Sequence, residues 1–132
     1  GAWIDHASGR EPLKTRDSVL RVEDAIVSTT DPGLFTGAEA DAFAQIAQSA
    51  KVRRFGLDAY GYAALALGGV DLVIESGLKP WDVGALIPVV SGAGGVITNW
   101  RGGPAHEGGQ LIAAANRALH AQALEQLAGA AL

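Results

Sequence analysis

Residues 79–86 read Lys79-Pro80-Trp81-Asp82-Val83-Gly84-Ala85-Leu86, and the chain continues to a glycine pair at residues 94–95. Pro80 predicts the first turn of a helix, because a proline at that position loses no intrahelical hydrogen bond. The helix is expected to run to the glycine pair, with a kink or a short first segment at Pro88. Its residues are apolar on nearly every side, which predicts a buried helix.

Short strands and helices alternate on both sides of this stretch. The residue pattern predicts strands at residues 25–29, 51–55, 72–75, 96–98 and 111–114, and helices at residues 38–50, 59–67 and after Asn116. This alternation is typical of layered α/β folds. The first 21 residues are more polar and are expected to form a strand pair at the edge of the sheet.

Composition excludes several classes of protein. The 132 residues suffice for one domain with a core, and the net charge of −4 argues against electrostatic binding of nucleic acid or of an anionic membrane. No apolar stretch is long enough to span a membrane. The sequence has no Cys, which excludes disulfides, thiolate zinc sites and cysteine nucleophiles. The lack of Cys fits a reducing compartment, and we expect a cytoplasmic protein.

Two carboxylates flank the turn before the predicted helix. Glu75 ends a buried strand and Asp82 opens the helix, and ligands of α/β folds bind beyond the carboxyl ends of strands. Carboxylates at that position can hold a hard cation such as Mg²⁺. The structural alternative is that Asp82 only complements the helix dipole and that Glu75 is a solvated loop residue. The spacing alone favours this alternative.

Other polar residues are weaker candidates. Asp58 is expected either to cap the helix that follows it or to contact a substrate, and the cap is favoured. The segment Ser28-Thr29-Thr30-Asp31 ends a strand, and its three hydroxyls could bind phosphate or close the turn; the turn is favoured. The three histidines, His6, His106 and His120, have no metal-ligand spacing and are expected at the surface.

The Trp-Asp pair at residues 81–82 and the Gly-Ala-Gly-Gly turn at residues 92–95 resemble the C-terminal signature of the inositol monophosphatase family. In that signature a Trp-Asp pair opens a helix that closes on a Gly-Gly turn before a strand. The resemblance to the family's sequence extends to residues 1–3, 56–75, 102–104 and 112–116. The resemblance implies that residues 1–132 form a single layered α/β sandwich, the C-terminal half of the family's αβαβα fold.

The resemblance also implies roles for three side chains. Asp82 matches the family's metal-binding aspartate, which is also catalytic because it helps to orient the leaving oxygen. Glu75 matches the residue that hydrogen-bonds the alcohol part of the substrate, and Asp58 is implied as a further substrate contact. The implied reaction is Mg²⁺-dependent hydrolysis of a small phosphate monoester.

Several details are most similar to the histidinol-phosphate phosphatase branch of the family, which acts in histidine biosynthesis. They lie at residues 29–35, 58–60 and 78–80. An acid at residue 58 suits a cationic substrate such as histidinol phosphate, whereas inositol-specific members tend to have a small residue there. Inositol-1-monophosphatase, or a related sugar or nucleotide phosphatase, remains an alternative.

The N-terminal motif of the family has no counterpart in this sequence. That motif is Asp-Pro-Ile-Asp-Gly-Thr with a separate metal-binding Glu, and Asp31-Pro32-Gly33-Leu34 does not match it. The sequence also has no Met and opens with Gly1-Ala2-Trp3. We therefore expect a C-terminal half that lacks the N-terminal metal-binding half and is inactive alone. The resemblance implies that the full-length protein is a homodimer. The alternative is a non-catalytic module kept for binding or dimerisation.

Overall fold

Strands and helices follow the alternation that the sequence predicts. The structure is a computed structural model that describes all residues, 1–132. The strands are β1 (Trp3–His6), β2 (Gly9–Pro12), β3 (Ile26–Thr29), β4 (Val52–Phe55), β5 (Leu72–Leu78), β6 (Val96–Asn99) and β7 (Gly109–Ala114). The helices are α1 (Ala38–Ser49), α2 (Ala59–Ala66), α3 (Pro80–Val83), α4 (Leu86–Gly92) and α5 (Arg117–Leu127).

The central sheet has five strands in the order β4-β3-β5-β7-β6. β3 is parallel to both β4 and β5, whereas β7 is antiparallel to its neighbours β5 and β6. The carboxyl ends of β3 and β5 therefore lie side by side at one edge of the sheet. β5 lies at the centre of the sheet, and its pairing with β7 shifts register between Glu75 and Leu78.

Helices cover both faces of the sheet, so the predicted layered α/β fold is confirmed. Successive residues of β5 face opposite layers: Leu72 and Ile74 pack in the cluster with α1 and α5, while Val73 packs in the cluster with α2 and α4. The first cluster contains 18 buried residues and the second only 10. The part of the core under α2 and α4 is therefore the smaller one.

The strand pair expected near the N-terminus is present, but it is not at the edge of the sheet. β1 and β2 form a separate two-stranded sheet, in which Trp3 lies opposite Pro12. The segment after it is fixed to the body of the fold: the Thr15 N–H donates to the Ala93 carbonyl oxygen at 3.0 Å. The Arg16 guanidinium binds the buried carboxylate of Asp71, with Nε 2.9 Å from Oδ1.

The helix expected from Pro80 to the glycine pair is divided, as one of its two expected forms requires, but the break does not lie at Pro88 and the helix is not buried. The chain forms two helices, α3 and α4, which separate at residues 84–85; a short first segment was the second of the two expected forms. Pro88 lies in the first turn of α4, where its missing N–H breaks no helical bond. Only Val83 and Val90 are buried in the two helices, and Trp81 is 79% exposed.

Two glycines allow close backbone approach near these helices. A Cβ at Gly108, which has a φ of +76°, would collide with the Leu78 carbonyl oxygen. A Cβ at Gly95 would lie 2.9 Å from the Ala114 carbonyl oxygen. Gly108 therefore lets the loop before β7 press against the turn that leads into α3.

None of the five helices combines the length and the apolar character that a membrane span needs.

Candidate functional site

A cavity of about 250 Å³ opens beyond the carboxyl ends of β3 and β5. α2, α3 and α4 provide its remaining walls. Eight residues line it: Thr30, Asp58, Ala59, Tyr62, Glu75, Leu78, Asp82 and Leu86. The three residues predicted from the sequence, Asp58, Glu75 and Asp82, are all among them. They are the only charged side chains in the lining, so the cavity is acidic.

Glu75 is the most enclosed of the three acids, and the expectation of a solvated loop residue is wrong. It lies within β5, because that strand continues to Leu78, and it is only 6% exposed. The Thr30 hydroxyl donates to Glu75 Oε1 at 2.8 Å, and the Thr30 N–H donates to Oε2 at 3.4 Å. The Thr29 hydroxyl adds a third bond, also of 3.4 Å, to Oε2. The last residue of β3 and the residue after it thus hold this carboxylate in a fixed orientation.

Burial raises the pKa of Glu75 above its ordinary value. The hydrogen bonds from Thr30 and Thr29 act in the opposite direction, and the nearby carboxylate of Asp58 raises the pKa further. The desolvation effect is the largest of these. A hydrogen-bond donor or a cation brought by a ligand would therefore stabilise the ionised form of Glu75.

Asp58 precedes α2 but does not cap it, so the favoured cap is wrong. Its side chain makes no hydrogen bond to the first turn of the helix. Its backbone has a φ of +49°, the only positive value at a residue other than glycine. This left-handed conformation is costly for a residue with a side chain and is concentrated at functional sites. The strained backbone places the carboxylate of Asp58 in the cavity wall.

Asp82 has a structural role at the start of α3, where the sequence favours one. Its Oδ2 accepts the Lys79 N–H at 2.7 Å, which closes the first turn of α3. The Asp82 N–H in turn donates to the Lys79 carbonyl oxygen at 2.9 Å. Asp82 also lines the cavity, so the helix-capping role and a role in the site coexist in one side chain.

Sequence reasoning missed Tyr62 and did not predict the partner of Thr30. The hydroxyl of Thr30 neither closes a turn nor stays free for phosphate, because it donates a hydrogen bond to Glu75. In the same segment Asp31 does close the turn, by accepting the Gly33 N–H at 2.8 Å. One signal for Tyr62 is present in the sequence: it lies in the first turn of α2, four residues after the candidate Asp58.

The histidines lie outside the cavity lining. His6 and His106 are exposed, as expected, but the expectation fails for His120, which is 9% exposed. The Nε2 of His120 is 2.8 Å from the Thr98 hydroxyl oxygen. Burial, with a smaller effect of Arg117, lowers the pKa of His120.

The residues of this chain do not fit a magnesium site by themselves. No group of three or more His, Cys, Asp and Glu residues is placed to hold a metal ion. Mg²⁺ takes about six oxygen ligands in near-octahedral geometry. Asp82 offers one carboxylate, of which Oδ2 already accepts a backbone N–H. The metal-binding role of Asp82 therefore stays a prediction from the family resemblance.

Comparison with known proteins identifies the family. The sequence profile described as "Inositol monophosphatase family" matches residues 1–131. The chain belongs to this family, whose members are phosphoric monoester hydrolases and are generally metal-dependent. The resemblance noted at residues 81–82 and 92–95 is thus confirmed.

Individual relatives agree with this assignment. The chain is 42% identical to the bifunctional phosphatase IMPL2, chloroplastic, of Arabidopsis thaliana, over 95% of this chain and 40% of that protein. It is 35% identical to a histidinol-phosphatase of Chlorobaculum parvum, over 52% of this chain and 26% of that protein. An inositol monophosphatase structure from Zymomonas mobilis superposes with a TM-score of 0.83 at 36% identity, over 88% of this chain and 46% of the other. The chain thus spans less than half the length of these relatives.

Proposed function

We propose that this chain forms the alcohol-binding half of the active site of a phosphate monoesterase, with histidinol phosphate as the substrate. The observation that carries the proposal is the acidic cavity: Asp58, Glu75 and Asp82 line it, and no Lys, Arg or His does. Such a cavity repels a bare phosphate group and attracts a cationic group. The phosphate is expected to lie away from this wall and the ammonium group of the alcohol part against it.

Each acid has a distinct part in this proposal. Glu75, oriented by Thr30, accepts hydrogen bonds from the alcohol part of the substrate. Asp58 attracts the ammonium group, and Asp82 orients the leaving oxygen. The similarity to a histidinol-phosphatase over 52% of the chain supports this substrate, which would place the protein in histidine biosynthesis. Mg²⁺ enters the proposal through the family alone, since residues 1–132 do not supply its ligand set.

Two other functions have an observation in their favour. The inositol monophosphatase from Zymomonas mobilis, 36% identical, supports an inositol phosphate as the substrate. The lack of a metal-binding group within residues 1–132 favours a non-catalytic binding module. The inositol phosphate alternative makes a different prediction when the acid at residue 58 is neutralised, and the binding module makes a different prediction for phosphate release.

Isothermal titration of the purified chain with histidinol phosphate and with inositol 1-phosphate tests the substrate. We expect tighter binding of histidinol phosphate, and a roughly tenfold loss in Asp58→Asn, because that change removes one charge-assisted contact. Binding of inositol 1-phosphate should change little in the same variant. Equal loss for both ligands, or tighter binding of inositol 1-phosphate, would contradict the assignment of histidinol phosphate.

Phosphate release distinguishes the half-site from the binding module. We expect no Mg²⁺-dependent release from the 132-residue chain alone, and release when the chain is joined to the N-terminal half of a family member. Release by the isolated chain would contradict the proposed division of the site. Failure of the joined protein to release phosphate, with ligand binding retained, would favour the module.

A further inference from the structure

Tyr62 has a polar atom that the contacts of the fold leave unexplained. The residue is 1% exposed and lines the acidic cavity. Its hydroxyl has no hydrogen-bond partner among the protein groups around it. A buried hydroxyl without a partner is costly, and native structures seldom keep one without a reason.

The packing of Tyr62 does not require the hydroxyl. Its ring belongs to the apolar cluster between the sheet and the helices α2 and α4, together with Leu65 and Val73. A phenylalanine ring would fill the same space and would bury no polar atom. The hydroxyl therefore contributes nothing to the stability of the ligand-free fold.

The electrostatic surroundings fix the state of this hydroxyl. Burial raises the pKa of Tyr62 well above its ordinary value, and the carboxylates of Glu75 and Asp82 raise it further. The phenol thus keeps its proton throughout the accessible pH range. It is the one neutral hydroxyl in the lining that is free to donate, because the Thr30 hydroxyl already donates its hydrogen bond to Glu75.

We propose that Tyr62 is a substrate-binding residue, whose hydroxyl donates a hydrogen bond to an uncharged acceptor atom in the alcohol part of the ligand. The inference rests on the proposed function and adds to it. The three carboxylates can only accept hydrogen bonds, so they bind the donor groups of the ligand. The Tyr62 hydroxyl binds an acceptor atom, such as a hydroxyl oxygen or an imidazole nitrogen. The site therefore selects an alcohol that carries donors and an acceptor at separate positions.

The variant Tyr62→Phe tests the proposal, because it removes the hydroxyl and keeps the ring. Tyr60→Phe is the matched control: Tyr60 lies on the same helix, is 65% exposed and does not line the cavity. The purified chain is titrated calorimetrically with histidinol phosphate and with L-histidinol. Thermal unfolding of each ligand-free variant is measured in parallel.

We expect Tyr62→Phe to bind both probes five- to tenfold more weakly, while its melting temperature equals or exceeds that of the original chain. Tyr60→Phe should leave both quantities unchanged. Equal affinity in Tyr62→Phe and the original chain would overturn the role of Tyr62 and leave the proposed function standing. A melting temperature lowered by several degrees in Tyr62→Phe would also overturn it, since the hydroxyl would then serve the fold. Binding of neither probe to the original chain would overturn the proposed function together with this inference.

Discussion

The Thr30 hydroxyl and Glu75 Oε1 are 2.8 Å apart, and this hydrogen bond joins β5 to the residue that follows the neighbouring parallel strand β3. Replacing Thr30 by Val keeps the shape and removes the donor. We expect Thr30→Val to lower the free energy of unfolding by about 1.5 to 3 kcal/mol at pH 7, the range for a bond to a charged group. Urea denaturation measures the change.

Two controls separate this bond from general effects of the substitution. Thr36→Val, at an exposed threonine, should leave the free energy of unfolding nearly unchanged. The loss in Thr30→Val should also shrink near pH 4, where the Glu75 carboxyl is protonated in the folded chain. An equal loss at both pH values would show that the ionised carboxylate is not what Thr30 stabilises.

Glu75→Gln is expected to separate stability from ligand binding. The pKa of Glu75 is raised in the folded chain, so the folded state holds more protons than the unfolded state above pH 4.5. The stability contributed by Glu75 is therefore present below pH 4.5 and is lost as the pH rises through the folded pKa. Removing the charge should raise the free energy of unfolding at pH 7 and weaken binding of a cationic ligand by roughly tenfold or more.

Denaturation curves at several pH values, with calorimetric titrations, provide the measurements for Glu75→Gln. The variant should lose the decrease in stability that the original chain shows above pH 4.5. A variant that is less stable than the original chain at pH 7 would indicate that the hydrogen bonds from β3 outweigh the desolvation of the carboxylate.

His120 is expected to give a pH dependence of the opposite sign. Its pKa is lowered in the folded chain, because burial disfavours the imidazolium. The unfolded state therefore binds the proton more readily, and stability is lost as the pH falls below 6.5 towards the folded pKa. His120→Gln should remove this loss between pH 7 and pH 5.5, whereas His106→Gln at an exposed histidine should keep it. Thermal unfolding across that interval is the test; identical profiles for all three chains would contradict the assignment.

Asp71 lies outside the cavity and is expected to contribute to the stability of the fold alone. Its carboxylate is fully buried, binds Arg16 through both oxygens and accepts the Ile26 N–H at 2.8 Å. Breaking a buried ion pair costs about 3 to 5 kcal/mol, but Arg16 is 38% exposed, so water screens part of the interaction. We expect Asp71→Asn to lower the free energy of unfolding by about 2 kcal/mol.

The control for Asp71→Asn is Asp5→Asn, which breaks an exposed ion pair to Arg10 on the hairpin. It should have little effect on urea denaturation. Equal effects of the two variants would mean that burial of Asp71 adds nothing to the attachment of the segment after the hairpin.

The order of the elements could be predicted from the sequence, because local periodicity and turn residues determine it. Helix α1 was expected at residues 38–50 and observed at Ala38–Ser49, and Asn116 caps α5 by accepting the Leu119 N–H. The burial of Glu75 could not be predicted in this way. It depends on hydrogen bonds from Thr30, 45 positions earlier, and on the pairing of β5 with β7.

The candidate site was predictable in its acids but not in its neutral members. Charged residues at the ends of predicted elements stand out in a sequence, as Asp82 does at the start of α3. Tyr62 looks like an ordinary core residue of a helix, and only the missing partner of its hydroxyl distinguishes it. The pattern indicates a break at Pro88, whereas the two helices separate at residues 84–85, where the chain has no proline.

The two ends of the cavity rest on supports of very different strength. Glu75 belongs to the central strand of the sheet, which is bonded on both sides, whereas Asp82 belongs to a helix of four residues. Amide hydrogens of β5 should therefore exchange at rates close to those of global unfolding, and those of α3 much faster. Low concentrations of denaturant should melt α3 and separate the two acids while the sheet stays intact. The site is then expected to lose its ligand well before the molecule unfolds.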